Sequence, residues 1–344
     1  MRKVALRPHA LLPRQYDPGS VLATTVDAWG RGLWLICPDA ELRPSSFGRP
    51  HPRPRTFPYD ALLVTDDRGV ISERAVPGLD LRVTQLDSLP NGRLVLQGYG
   101  DGGDRNARIL GRDGRRRSGF AMGRAVEYLM ADRRHHVWSA YFDEGVYCDP
   151  ISAAGLVRWD SGGHRLWGYA PPRGIEYIDT VYALNVDDGV AWANYYPGFP
   201  LLEARTDGAV RLRSTPVIAP RGMAVHGDHV TMLGGDRQPD LLHRCRLTDG
   251  EAVPVEEACL TLPNGAPLKG YAPPVGRGRH LYLRGSSPRQ WYVMRAYAGG
   301  RRPVRRPRGT SLGRRGDRLP GGGVPASRAG PSASCGLGSP SRNL

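Results

Sequence analysis

The sequence predicts an all-β fold, a β-propeller of six four-stranded blades, on three observations. A turn signal recurs at nearly constant spacing, a second family of turns interleaves with it, and no stretch sustains a helical pattern. The first family is Asp67-Arg68-Gly69, Asp113-Gly114, Asp160-Ser161-Gly162, Asp207-Gly208 and Asp249-Gly250, with steps of 45, 48, 46 and 42 residues between successive glycines. A period of roughly 40–50 residues with strands on both sides of each turn belongs to propeller blades.

Each turn of the second family precedes a short apolar or aromatic run. Gly30-Arg31-Gly32 precedes Leu33-Trp34-Leu35-Ile36, and Asn91-Gly92 precedes Leu94-Val95-Leu96. Asp132-Arg133-Arg134 precedes Val137–Phe142, and Asp187-Asp188-Gly189 precedes Val190-Ala191-Trp192. Gly227-Asp228 and Gly276-Arg277-Gly278 stand before Val230–Leu233 and Leu281-Tyr282-Leu283. Asp-Gly and Asn-Gly supply the positive φ of tight hairpins, so each copy reads as a β-hairpin. Two hairpins make one blade, and six inner hairpins point to six blades, with counting alone also allowing five or seven. Apolar positions at helical spacing never persist beyond about two turns before Gly or Pro intervenes. The last blade needs a closing strand to avoid an open edge. Val4-Ala5-Leu6 or Leu11-Leu12 supplies it, beside Trp291-Tyr292-Val293-Met294.

The propeller is expected over residues 1–298. Residues 299–344 are mostly Arg, Gly, Pro and Ser without an aromatic residue, and such a tail cannot bury enough apolar surface to order itself. From Arg301 onward ten Arg stand against the single Asp317, a net of +9 out of the +15 of the whole chain. Nucleic acid is therefore expected only at this basic tail, if anywhere, and the tail lacks the aromatic residues of a stacking platform. The favoured reading is a featureless tail, translated from a shifted frame in a GC-rich gene, since only Lys3 and Lys269 break the use of Arg.

Five cysteines (Cys37, Cys148, Cys245, Cys259, Cys335) form no Cys-x-x-Cys pair, and Cys245 and Cys259 flank a single turn. The start, Met1–Pro8, has no apolar core of a signal peptide, and nothing approaches the ~20 apolar residues of a membrane span. A cytoplasmic protein with no membrane contact is expected.

The stretch Val137-Trp138-Ser139-Ala140-Tyr141-Phe142-Asp143-Glu144-Gly145-Val146-Tyr147, followed by Gly155-Leu156-Val157-Arg158-Trp159-Asp160, resembles uncharacterised bacterial propeller proteins. More distantly, the chain is similar to six-bladed propellers of the NHL and gluconolactonase (SMP-30) kind over about residues 20–295. In the latter family a Glu, two Asn and an Asp bind a divalent metal at the channel mouth, and the enzyme opens sugar lactones. Asn185, in Ala183-Leu184-Asn185-Val186-Asp187, sits in a comparable strand, while the family's Glu-Gly-Pro opening is absent.

Acids near the inner turns are the residues themselves that suggest chemistry. Asp27, Asp87, Glu127, Glu176 and Asp179 lie in four successive blades, and innermost strands converge on one axis. Such carboxylates either hold a hard cation (Ca²⁺, Mg²⁺ or Mn²⁺), or stay solvated or paired with Arg124 and Arg173. The expected metal set is Glu127 and Asp179 with Asn185 and Asp87. The loop from Asp143 to Ser152 is the expected ligand site, through Asp143, Glu144, Tyr141 and Tyr147, because binding residues concentrate on loops of rigid scaffolds. His135-His136, His226 and His229 lack the spacing of a zinc site, Ser139 lacks an activating context, and Gly98–Gly103 lacks the following helix of a phosphate cradle. A Pro-rich insertion from Arg43 to Pro58 reads as an extended surface loop, either a tolerated insertion or a cap on one channel mouth. The functional expectation is a module binding a protein or small ligand through its loops. A metal-dependent lactonase-like hydrolase or lyase using the channel acids is the alternative.

Overall fold

A computed structural model describes residues 1–44, 50–99, 105–235, 238–268 and 272–296. The tail 299–344, most of the Gly98–Gly103 stretch and Cys335 lie outside the described residues.

The chain forms six blades of four antiparallel strands around an axis, each running from the innermost strand outward. Blade 1 comprises Val21–Val26, Gly32–Ile36, Tyr59–Asp67 and Val70–Leu79. Blade 2 follows with Arg82–Ser88, Leu94–Tyr99, Ala107–Leu110 and Arg116–Phe120. Blade 3 is Val126–Ala131, His136–Tyr141, Leu156–Asp160 and Arg165–Gly168. Blade 4 is Thr180–Asp187, Val190–Tyr196, Leu201–Arg205 and Val210–Arg213. Blade 5 is Gly222–His226, His229–Leu233, Leu241–Leu247 and Ala252–Thr261. Blade 6 is Val275–Arg277, His280–Leu283 and Gln290–Arg295.

Every turn of the two sequence families falls where the period places it. The first family joins third to fourth strands and the second joins first to second. Several share one design: in those opened by Asp27, Asp132 and Asp160, the carboxylate accepts the amides of the second and fourth residues beyond it. The fourth residue's side chain then closes on the same carboxylate, as Arg31, His136 and His164 do at 2.7, 3.0 and 2.9 Å. The residue before that partner takes a left-handed conformation. Gly30 and Gly163 fill it freely, whereas His135 sits there with φ 71°.

Arg7–Leu11 closes the ring by pairing antiparallel with Gln290–Arg295, supplying blade 6 with its fourth strand. Of the two candidate segments, Leu11 therefore lies in the closing strand. Arg2–Ala5, carrying Val4, instead adds a fifth, parallel strand to the outside of blade 5.

The core is six separate clusters, one between each pair of neighbouring blades. In blade 3, Leu129 and Ala131 pack toward blade 2 while Tyr128 and Met130 pack toward blade 4. Successive side chains of a strand point to opposite faces, and here both faces are covered, so the strands need no polar side. Cys245 and Cys259 pair with Pro254 and Leu241 rather than with each other, and the four described cysteines are free thiols.

Two connections differ from expectation. The Pro-rich insertion forms a small ribbon, Glu41–Arg43 with His51–Arg53, which tolerates Pro52 because no third strand needs its missing N–H. The segment after Phe142 is a short helix, α1 (Asp143–Cys148), not an open loop. No helix among the described residues is long and apolar enough to cross a membrane.

Candidate functional site

The inner strands define two mouths. At one, the inner hairpin turns gather; at the other, the strands begin, and inter-blade connections and second-to-third-strand loops meet.

Between them the axis is packed. Arg277, at the end of blade 6's inner strand, is only 6% exposed and reaches across to three other blades. Its Nε donates to Val26 O (3.0 Å), one Nη to Ala131 O (2.8 Å), and the other Nη pairs with Asp87 Oδ2 at 2.5 Å. Asp87, fully buried, also accepts the amides of Ser88 and Ala131. Burial pushes its carboxyl up to about 6 even though Arg277 pulls the other way. On the other side of the axis Asn185 donates to Met223 O and Gly278 O, both at 2.9 Å. Gly276 fits there only because it has no side chain, since a Cβ would stand 2.6 Å from Met223 O and 2.8 Å from Leu184 O.

This packing places the residues of the expected metal set at two levels of the axis. Asp87 lies level with Ala131, whose amide it accepts, and Glu127 lies near the start of that strand, four residues earlier. Asp179 precedes Asn185 by six residues. At about 3.3 Å of rise per residue, those offsets are roughly 13 and 20 Å along the axis. Glu127 and Asp179 belong to the strand-start mouth, Asp87 and Asn185 to the far ends of their strands. Among the described residues no three His, Cys, Asp or Glu side chains converge as metal ligands. Asp27 is likewise committed to its own turn and Arg31.

The expected ligand loop divides differently. Tyr141 is a core residue, 0% exposed, with its hydroxyl bonded to Ser139 and to Met122 O. Ser139 itself accepts from Trp159 Nε1 and is buried. Strand parity explains this: Tyr141 shares a face with Val137, which packs in the same cluster. Asp143, Glu144 and Tyr147 instead stand on α1 at the strand-start mouth. The Asp143 amide donates to Thr180 Oγ1 (3.1 Å), and the Tyr147 hydroxyl donates to Asp179 Oδ2 (2.8 Å). Of the two candidate sets, Tyr147 and Asp179 thus meet at this mouth, while Tyr141, Asp87 and Asn185 lie in the packed interior.

Around them the surface is aromatic. Tyr147 is 53% exposed and meets Tyr177 edge-on at 6.4 Å; Tyr177 is 55% exposed. Tyr196 packs on Phe199, and Tyr182 meets Phe199 edge-on. Ile175 and Ile218, both exposed, sit on the connections entering and leaving blade 4. Four acids (Asp143, Glu144, Glu176, Asp179) share this face with Arg124 and Arg173, and neither arginine forms an ion pair among the described residues. Sequence reasoning missed Tyr177, Tyr196 and Ile218. Strand counting would have found them, because all connections entering inner strands share one mouth with the second-to-third-strand loops. Over blades 1 and 2 the ribbon residues His51–Pro54 face Leu22 and Arg82–Thr84 across a cleft of about 400 Å³ beside exposed Tyr99.

The turn mouth is different, a polar cavity of about 510 Å³ lined by turns of five blades. His280 on its wall stacks on Tyr282 at 5.8 Å, and burial, then Arg295 and Arg279, hold its imidazole down at about 4. A depressed group contributes stability that is complete above its unfolded value of about 6.5 and is lost as pH falls through the folded one. Thermal melts should therefore fall between pH 6.5 and 4. A His280→Gln variant should flatten that fall by up to about 3 kcal/mol, less with solvent screening. An unchanged pH profile in the variant would refute the assignment.

No protein-family model matches the sequence, and no curated protein matches it. Solved structures do. The chain is similar to Hsv2 of Kluyveromyces marxianus at 8% identity and a TM-score of 0.50, covering 82% of this chain and 74% of that one. Streptogramin B lyase is similar at 14% identity and a TM-score of 0.46, covering 84% of this chain and 97% of that one. The chain is a β-propeller. At these identities the likeness extends to the fold alone, and a propeller leaves the activity open.

Proposed function

We propose that this propeller is a protein-binding module whose strand-start mouth, over blades 3 and 4, holds a partner segment bearing Arg or Lys. The observation that carries it is the gathering at this mouth of exposed rings and aliphatic side chains, Tyr147, Tyr177, Tyr196, Ile175 and Ile218, with the acids Asp143, Glu144, Glu176 and Asp179. Tyrosines give rigid contact area at low entropic cost and dominate binding energies at interfaces. Their faces attract guanidinium and ammonium groups, and adjacent carboxylates complete the match. A reducing compartment, the cytoplasm, suits the four free thiols. The more distant resemblance to NHL and SMP-30 propellers bears on the architecture of this reading and not on a reaction.

Selection of random displayed peptides on the full chain tests it. Binders should be enriched in Arg and Lys, and Tyr147→Ala or Tyr177→Ala should weaken them roughly tenfold or more. Asp143→Asn should lower the association rate and its salt dependence. Enriched peptides without basic residues, or binding indifferent to both tyrosine changes, would refute the reading.

A further inference from the structure

The cavity at the turn mouth has a composition that the fold does not require. Most charged groups around it are committed to each other. Arg133 pairs with Asp188 at 2.9 Å, Arg31 with Asp27 at 2.7 Å, and Arg277 is buried against Asp87. Two guanidinium groups on the wall, Arg68 and Arg279, make no hydrogen bond or ion pair among the described residues. One carboxylate, Asp187, accepts only the neighbouring amide of Asp188, at 2.8 Å, among the described residues. With His280 neutral near pH 7, the uncommitted charge is two cations against one anion.

The walls add recognition surface. Trp29 is 36% exposed on the rim, and Tyr282, buried to 4%, lines the inner wall. Arg277 crosses the axis beyond them, so the cavity is a closed cup rather than a through-channel. A volume of about 510 Å³ suits a molecule of metabolite size and excludes a folded partner.

We infer that this cup is a binding site for a small organic anion carrying a carboxylate or phosphate, and a hydroxyl or amine as donor to Asp187. Arg68 and Arg279 clamp the anionic group through charge-assisted hydrogen bonds, for which guanidinium forks are suited. Trp29 covers the ligand's less polar face. The site is on the opposite mouth from the proposed protein-binding face and does not depend on it.

Citrate and inorganic phosphate serve as probes, titrated into the full-length protein at constant ionic strength by calorimetry and tryptophan fluorescence. The other described tryptophans are buried or half-buried, so Trp29 is the reporter at the cup. Saturable binding of at least one anion is expected, weakened about tenfold by Arg68→Ala and by Arg279→Ala and abolished in the double variant. Trp29→Phe should remove the fluorescence change while the calorimetric heat remains. Both arginines are exposed and make no bonds that the fold uses, so the variants should fold. No saturable heat with either anion overturns the site. So does binding that survives in the double variant, because the anion then sits elsewhere, for example on the arginines of the tail.

Discussion

Replacing Arg277 by methionine is expected to destabilise the protein by about 3–5 kcal/mol, the cost of removing one partner of a buried ion pair. Asp87 would be left buried without its counter-charge, and Val26 O and Ala131 O would each lose a donor. Arg277 is the one described side chain that ties blade 6 to blades 1, 2 and 3 through the axis, so the loss falls on ring closure as well. In a thermal melt this is roughly a 10 °C drop. The pH dependence gives a sharper check. Burial raises the Asp87 carboxyl to about 6 in the intact pair, and loss of Arg277 raises it further. For a raised carboxyl the cost of burying the charge is present above the folded pKa and relieved as pH falls through it. The variant should therefore approach the parent protein's stability at pH 5 and fall furthest behind it at pH 8. A second variant, Asp87→Leu with Arg277→Met, removes the stranded charge and should recover part of the loss. If Arg277→Met melts like the parent, or worsens at low pH, the axial lock does not contribute as its geometry implies.

What the sequence made legible was local, and what it concealed was set by distance in space. Turns such as Asn91-Gly92 and Asp207-Gly208 announce themselves because their positive φ must be met by the residues present. Their spacing then fixed the blades, and the need to close a ring pointed to the first dozen residues. Arg277 was read as part of a turn, because nothing in Gly276-Arg277-Gly278 says that its side chain crosses an axis to Asp87, 190 residues away. The flanking glycine was the signal. Gly276 is small because the backbones of blades 4 and 5 press on it, not because a turn requires it. The metal candidates differ in level along the axis rather than in blade. Asp179 and Asn185 belong to one inner strand and its approach, and counting residues along it separates them. Tyr141 failed on parity, one residue from an exposed segment yet facing the core.

Deleting residues 1–12 is expected to have the largest effect of any change considered. The deletion takes away the fourth strand of blade 6 and the parallel fifth strand of blade 5. Leu6 (1% exposed) and Leu12 (0%) leave two different inter-blade clusters, with Ala10. At about 2 kcal/mol per buried leucine, apolar burial alone accounts for roughly 5 kcal/mol, comparable to the whole stability of many domains. Beyond that, Gln290–Arg295 becomes an open edge with Trp291 beside it. Trp34 donates to Pro288 O at 2.7 Å and Trp291 to Thr24 Oγ1 at 2.9 Å, and both bonds span the seam between blades 6 and 1. An unpaired strand there offers a template for aggregation. The shortened protein should be aggregated or lack a cooperative melt, and a synthetic peptide of residues 1–12 added during refolding should restore one. A chain ending at residue 298 is the matched comparison: it loses 46 residues, far more than the N-terminal deletion, yet removes no described strand, and it should melt within a few degrees of the full chain. A normal melt after the N-terminal deletion would show that the ring does not rely on its closing strand. A collapsed melt after the C-terminal one would place the tail inside the fold.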